Sequence, residues 1–136
     1  MPLMIWTDKM SVGVAKIDEE HKTLIRMLNE LYDGVHSGHG KEALGRTLDG
    51  LIAYTDRHFK YEEKLFAETG YPGAAAHKKE HDNLTKQVLD VQAKYQAGAT
   101  GTLSLEVLTF LKTWLVTHIQ GSDKKYGPHL HSKGIH

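Results

Sequence analysis

Apolar residues recur at helical spacing in four successive stretches separated by short glycine-marked breaks, and few folds accommodate that pattern. The first stripe is Ile17, His21, Leu24, Ile25, Leu28, Leu31, Tyr32 and Val35, with Asp18 expected as its N-cap and Glu19 and Glu20 in its first turn. Ser37-Gly38-His39-Gly40 interrupts it. The second stripe runs through Leu44, Leu48, Leu51, Ile52, Thr55, His58, Phe59, Glu62 and Leu65, until Thr69-Gly70-Tyr71-Pro72 ends one helix and opens the next. The third holds His77, His81, Leu84, Val88, Val91 and Tyr95; the fourth begins near Thr102, turns Leu105, Leu108, Leu111, Trp114, Leu115, His118 and Ile119 inward, and fades at Gly121. The spacing predicts helices over 18–37, 41–67, 73–97 and 102–120, each about 30 Å long. Short loops make sequential helices antiparallel, so the expected fold is all-α: one up-down-up-down antiparallel four-helix bundle over 1–136, with an extended N-terminal arm (1–17) and a C-terminal tail (124–136).

Composition narrows the function classes. Seventeen basic and seventeen acidic side chains balance, which gives no electrostatic basis for binding nucleic acid or an anionic membrane. No apolar run is long enough to cross a bilayer, and the first residues lack the pattern of a signal peptide, so a cytoplasmic protein without membrane insertion is expected. With no cysteine, a metal would have to be held by imidazole and carboxylate, and the chain has ten histidines.

The inward polar groups fall at one end of such a bundle. His21 lies near the start of the first helix, His58 and Glu62 in the last turns of the second, His77 and His81 one turn apart at the start of the third, and His118 at the end of the fourth. Asp123 would point about 140° away from His118 on an ideal helix, but Gly121 lets the chain loosen and bring it back under the bundle end. Taken singly, each has a plainer reading: His21 as a core histidine, Glu62 as a half-exposed helix residue, Asp123 as a solvated carboxylate. Their common level favours a metal, since buried ionisable groups persist only when paired or ligated. His36, His39, His129, His131 and His136 are expected to be solvated. Five imidazoles and two carboxylates exceed the needs of one tetrahedral zinc and imply two metals. With Glu62, Asp123 and a hydroxide-type oxygen all bridging, a metal on His77, His81 and His118 is six-coordinate and one on His21 and His58 is five-coordinate, keeping an open position. Iron suits such a donor set among redox metals.

The sequence resembles the hemerythrins, specifically the bacterial single-domain hemerythrins, over nearly its whole length. The resemblance rests on Trp6, Ser11-Val12-Gly13, Ile17-Asp18, His21, His58-Phe59-Lys60-Tyr61-Glu62-Glu63, Tyr71-Pro72, His77, Glu80-His81, Trp114-Leu115, His118-Ile119 and Asp123. It implies a non-enzymatic protein with two iron ions bridged by Glu62, Asp123 and an oxo or hydroxo group, binding dioxygen reversibly and end-on at the iron of His21 and His58. Leu24, Phe59, Trp114, Leu115 and Ile119, each within a turn of these residues, would line the dioxygen pocket and exclude water. The implied role is oxygen storage or delivery by a monomer to an oxygen-consuming enzyme. Oxygen or nitric oxide sensing and an iron reserve remain open at the same site. A ferritin-like oxidase would require Glu-x-x-His and a zinc hydrolase His-Glu-x-x-His, and neither occurs. A metal-free interaction module would leave the coincidence of seven inward polar groups without a cause.

Overall fold

The computed structural model describes residues 4–98 and 103–135. Helix α1 spans Ala15–His36, α2 Gly40–Thr69, α3 Ala74–Gln96 and α4 Leu103–Thr117; α4 runs on through a π-helical segment, His118–Asp123, into a short helix α5, Lys124–Ser132. Helix α1 packs on α2 and α4, and α2 on α3. This is the helical bundle expected, and its apolar stripes make its core. Leu24, Leu28, Leu31, Leu44, Leu48, Leu51, Phe59, Leu84, Val88, Leu111 and Leu115 belong to one buried cluster between the helices. At the end of α2, Gly70 takes a left-handed conformation (φ 67°), and the Tyr71 N–H bonds back to the Phe66 carbonyl, which stops the helix and turns the chain into α3.

Three features differ from expectation. Helix α1 starts at Ala15, and Asp18 is not its cap; its carboxylate accepts the Ser11 hydroxyl at 2.5 Å and the Val12 N–H at 2.9 Å. The first turn leaves those donors of the arm without other partners, so a carboxylate there stabilises the arm more than it would the helix end. The arm itself contains a 3-10 turn, Asp8–Met10, and buries Met4, Met10, Val12 and Val14, with Asn29 clamping both backbone groups of Met4. On α4, Leu105 faces out at 54% exposure while Leu103 and Val107 face in. Two residues advance a helix by about 200°, so Leu105 cannot share a face with Leu103. Residues 99–102, including the expected helix start near Thr102, lie outside the described residues.

The third difference is the tail. Residues 124–132 form α5, which folds across the end of the bundle and buries Tyr126 and Leu130 completely. These two join Val12, Val14, Ile17, Leu65 and Phe66 in a second apolar cluster. Gly127 makes the closure possible, because a Cβ there would come within 2.5 Å of the Val12 carbonyl oxygen. His129 is half-buried, against expectation, and its Nε2 bonds the Thr69 carbonyl at 3.0 Å; His131 is exposed as expected, although its Nε2 reaches the Gly13 carbonyl. His36 and His39 are exposed as expected, and His136 lies outside the described residues.

Candidate metal centre

Between the two apolar clusters lies a layer of buried polar groups. Ile17 of the small cluster and Leu24 of the large one sit one turn below and above His21 on α1; Leu65 and Phe59 flank Glu62 on α2 in the same way. His21, His58, Glu62, His77, His81, His118 and Asp123 are each at most 3% exposed. All seven inward donors picked from the sequence are thus brought together. Asp123 gets there by a wider turn: in the i→i+5 pattern of the π segment, the fifth residue after His118 returns to the same face, which an α-helix would not allow.

The donors fall into two sets. Glu62, His77, His81, His118 and Asp123 place one candidate donor atom each within 4.8 Å of the others, and so do His21, His58 and Glu62. Opposite donors around a metal with bonds of about 2.1 Å stand about 4.2 Å apart, so both sets have the size of a coordination sphere. Glu62 belongs to both: its Oε1 lies 2.9 Å from His58 Nε2 and 3.7 Å from His21 Nε2, while its Oε2 lies 3.4 Å from His77 Nε2 and 3.6 Å from His81 Nε2. Asp123 divides likewise, with Oδ2 2.9 Å from His21 Nε2 and Oδ1 2.8 Å from His77 Nε2 and 2.9 Å from His118 Nε2.

Distances this short would ordinarily mean hydrogen bonds. Yet His21 Nε2, His77 Nε2, His81 Nε2, His118 Nε2, Glu62 Oε2 and both Asp123 oxygens are buried without a hydrogen bond of acceptable geometry. The nitrogens and oxygens thus crowd shared points without hydrogen-bonding one another. Such orphaned atoms are costly unless a cation lies at those points, and imidazole nitrogen with carboxylate oxygen is a donor chemistry that iron accepts.

Without a metal, protons must balance the two carboxylates. Burial pushes the His58 imidazole down, but the Glu62 charge and the carboxylates of Glu20 and Glu62 outweigh it and lift it to about 10. Burial also lowers His77, and Asp123 and Glu62 together raise it to about 9. His21 moves up for the same reason, burial opposed by Asp123 and Glu62. Burial would raise Glu62, but the charge of His58 and the imidazoles of His21, His58 and His77 hold it well below the usual carboxylate range. Asp123 is likewise lowered: burial and the Glu62 charge oppose this, and His118, His21 and His77 overcome them.

The apolar residues expected around the site take distinct places. Phe59 stacks flat on the His81 ring at 3.8 Å between centroids, and Trp114 on His118 at 4.2 Å. Leu24, Leu115 and Ile119 are buried in the large cluster. Sequence reasoning missed several residues. Tyr126 is fully buried and donates its hydroxyl to Glu62 Oε1 at 3.3 Å. Glu20, Glu63 and Glu80 face the Nδ1 atoms of His58, His81 and His118, and Ser122 donates to Glu80 at 2.6 Å. The available signal was position: each of these glutamates is the chain neighbour of a buried donor.

Residues 12–130 match the family model described as Hemerythrin HHE cation binding domain, and the chain belongs to the hemerythrin family. It is 41% identical over 129 residues to a bacteriohemerythrin of Methylococcus capsulatus, covering 94% of this chain and 97% of that protein. A bacteriohemerythrin of Stenotrophomonas maltophilia is 39% identical over 126 residues, covering 93% of this chain and 80% of that protein. A crystal structure of a wild-type hemerythrin superposes with a TM-score of 0.85 at 40% identity, covering 94% of this chain and 98% of that one. No helix among the described residues is long and apolar enough to cross a membrane.

Proposed function

We propose that this protein binds dioxygen reversibly at two iron ions held by His21, His58, Glu62, His77, His81, His118 and Asp123, for oxygen storage or delivery to an oxygen-consuming enzyme. The observation that carries this reading is the division of seven buried donors into two sets that share Glu62, with Asp123 turning an oxygen toward His21 of the smaller set. Glu62 and Asp123 each turn one oxygen to either side, so both would help to hold each iron, with three imidazoles on one side against two on the other. The side with His21 and His58 is the poorer in donors, and an iron there would have room for a small ligand. When bound, the iron pair supplies two electrons that dioxygen takes up on binding and gives back on leaving. The chain's own work is to hold that position dry and poor in protons. Leu24, Phe59, Leu115 and Ile119 are each at most 5% exposed, and they exclude bulk water from the inner side of the layer. Tyr126, Phe66 and Leu130 close the outer side. The Tyr126 hydroxyl is committed to Glu62 and keeps its proton, because burial and the charges of Asp123 and Glu62 hold its pKa well above the usual phenol range.

The test is metal content with absorption spectra of the reduced, iron-loaded protein before air, after air and after removal of oxygen. About two irons per chain are expected, with a visible band that appears with oxygen and disappears when oxygen is withdrawn. One iron per chain, or a band that does not reverse, would refute the proposal.

A further inference from the structure

The three outer glutamates follow a rule that the donor set alone does not require. Glu20 is adjacent to His21 on α1, Glu63 to Glu62 on α2, and Glu80 to His81 on α3. A neighbour in a helix is rotated by about 100°, so each glutamate leaves the interior and points along the flank toward the next helix. There it meets the back of the next donor. Glu20 Oε1 lies 2.9 Å from Nδ1 of His58 on α2, Glu63 Oε2 3.2 Å from Nδ1 of His81 on α3, and Glu80 Oε1 3.7 Å from Nδ1 of His118 at the start of the π segment. Their exposure rises in the same order: 18%, 28% and 41%. Glu80 is steadied by the Ser122 hydroxyl at 2.6 Å, which ties α3 to the π segment just before Asp123. Other partners do not account for the arrangement. Lys78 is 4.0 Å from Glu63 but 3.2 Å from Asp82, its closer partner.

A carboxylate on Nδ1 keeps the proton there, leaves the Nε2 lone pair pointing inward, and makes that nitrogen a better donor. We propose that Glu20 and Glu63 are positioning residues, each fixing from one helix the imidazole of the next, and that they act on the two metal positions separately. Glu20 works through His58 on the two-imidazole position; Glu63 works through His81 on the three-imidazole position. The Nδ1 atoms of His21 and His118 are both buried without a hydrogen bond, Glu80 standing 3.7 Å from the latter, so the two-imidazole position depends on Glu20 and the three-imidazole position on Glu63. This rests on the two-metal reading above.

The experiment is titration of the metal-free protein with cobalt(II) in competition with a chelator, which needs no oxygen chemistry, on wild type, Glu20→Leu, Glu20→Gln and Glu63→Leu. Glu20→Leu should weaken one of the two binding steps about 10- to 100-fold and leave the other in place, and Glu63→Leu should weaken the other step by a smaller factor. Glu20→Gln keeps an acceptor for the Nδ1 proton without the charge and should recover part of the loss. The denaturation midpoint of the metal-free protein should fall with Glu20→Leu, which takes a carboxylate from the buried His58 imidazole, so the deciding readout is which binding step weakens. Unchanged affinities, weakening of the same step by both leucine variants, or equal weakening of both steps in parallel with a lower metal-free midpoint would each overturn the proposal while leaving two metals in wild type. Wild type binding fewer than two equivalents would overturn the two-metal reading, and this inference with it.

Discussion

Replacing Tyr126 by phenylalanine removes one oxygen atom from the interface between α5 and the polar layer. The side chain is completely buried, and its ring lies 5.1 Å from Phe66, 5.4 Å from His77 and 6.3 Å from Tyr71, contacts that phenylalanine keeps. What goes is the hydroxyl bond to Glu62 at 3.3 Å. Hydrogen bonds to charged groups contribute about 1.5–3 kcal/mol, and a donor–acceptor distance beyond the preferred O–H···O range puts this one near 1.5 kcal/mol. For a chain of this size that is roughly a 5 °C lower Tm. Tyr126→Ala also deletes the ring, which adds about 3–5 kcal/mol and opens a void beside His77 that water can enter. Urea denaturation of the metal-free proteins, followed by helical circular dichroism, separates the two. Metal-loaded Tyr126→Phe should in addition lose metal to a chelator faster than wild type, because Glu62 is held less firmly. A neutral Tyr126→Phe, or one as damaging as the alanine variant, would refute this account of how α5 supports the site.

Three further outcomes are expected. The metal-loaded protein should be more stable than the metal-free one, by about 2.7 kcal/mol at a free metal concentration a hundred times Kd; equal midpoints would contradict metal binding by the folded state. The metal-free protein should lose stability progressively from about pH 6.5 to about pH 10, since groups raised in the folded state from 6.5, His58 to about 10 and His77 to about 9, stabilise it fully below the unfolded value and cease to do so as pH rises through the folded one; the loaded protein, whose imidazoles have given up those protons, should lack this loss, and midpoints measured from pH 6 to 10.5 decide it. His58→Ala should cost metal and the oxygen-dependent band, while His36→Ala, at an exposed position, should leave metal content and spectrum unchanged.

What was legible in the sequence was whatever obeys a helical period. Leu24, Leu28 and Leu31, or Leu44, Leu48 and Leu51, announce their burial by spacing, and His21, His58, His77 and His81 declare their direction by standing in the same rows. Leu105 misled because in an apolar helix the row is ambiguous: with Leu103, Leu105, Val107 and Leu108 close together, only packing chooses the inner face. The outer glutamates were invisible to periodicity for the opposite reason. They lie off the apolar rows, where charged residues are ordinary, and only the approach of the next helix turns Glu20 from a solvated carboxylate into a partner of His58. The tail failed because Gly127 and Pro128 read as helix breakers. Here Gly127 is the point of closest approach to Val12, and Pro128 lies within a helix of nine residues that Tyr126 and Leu130 anchor.

Leu105 aside, these misreadings lie at the end of the bundle that holds the π segment. An α-helical continuation of α4 would carry Asp123 away from the layer and remove the carboxylate that stands between His21, His77 and His118. The wider turn returns Asp123 to the interior and also rotates everything after it, so Tyr126, three residues on, faces the same interior and meets Glu62. The chain beyond must then run across the bundle end, where the arm, held by Asp18, supplies Val12 and Val14 to receive it. One change of helical pitch therefore sets the seventh donor, the tyrosine behind the shared glutamate and the lid over both. A wide turn has no strong local signature beyond a permissive residue such as Gly121, and here it brings a second buried carboxylate to the layer of five imidazoles.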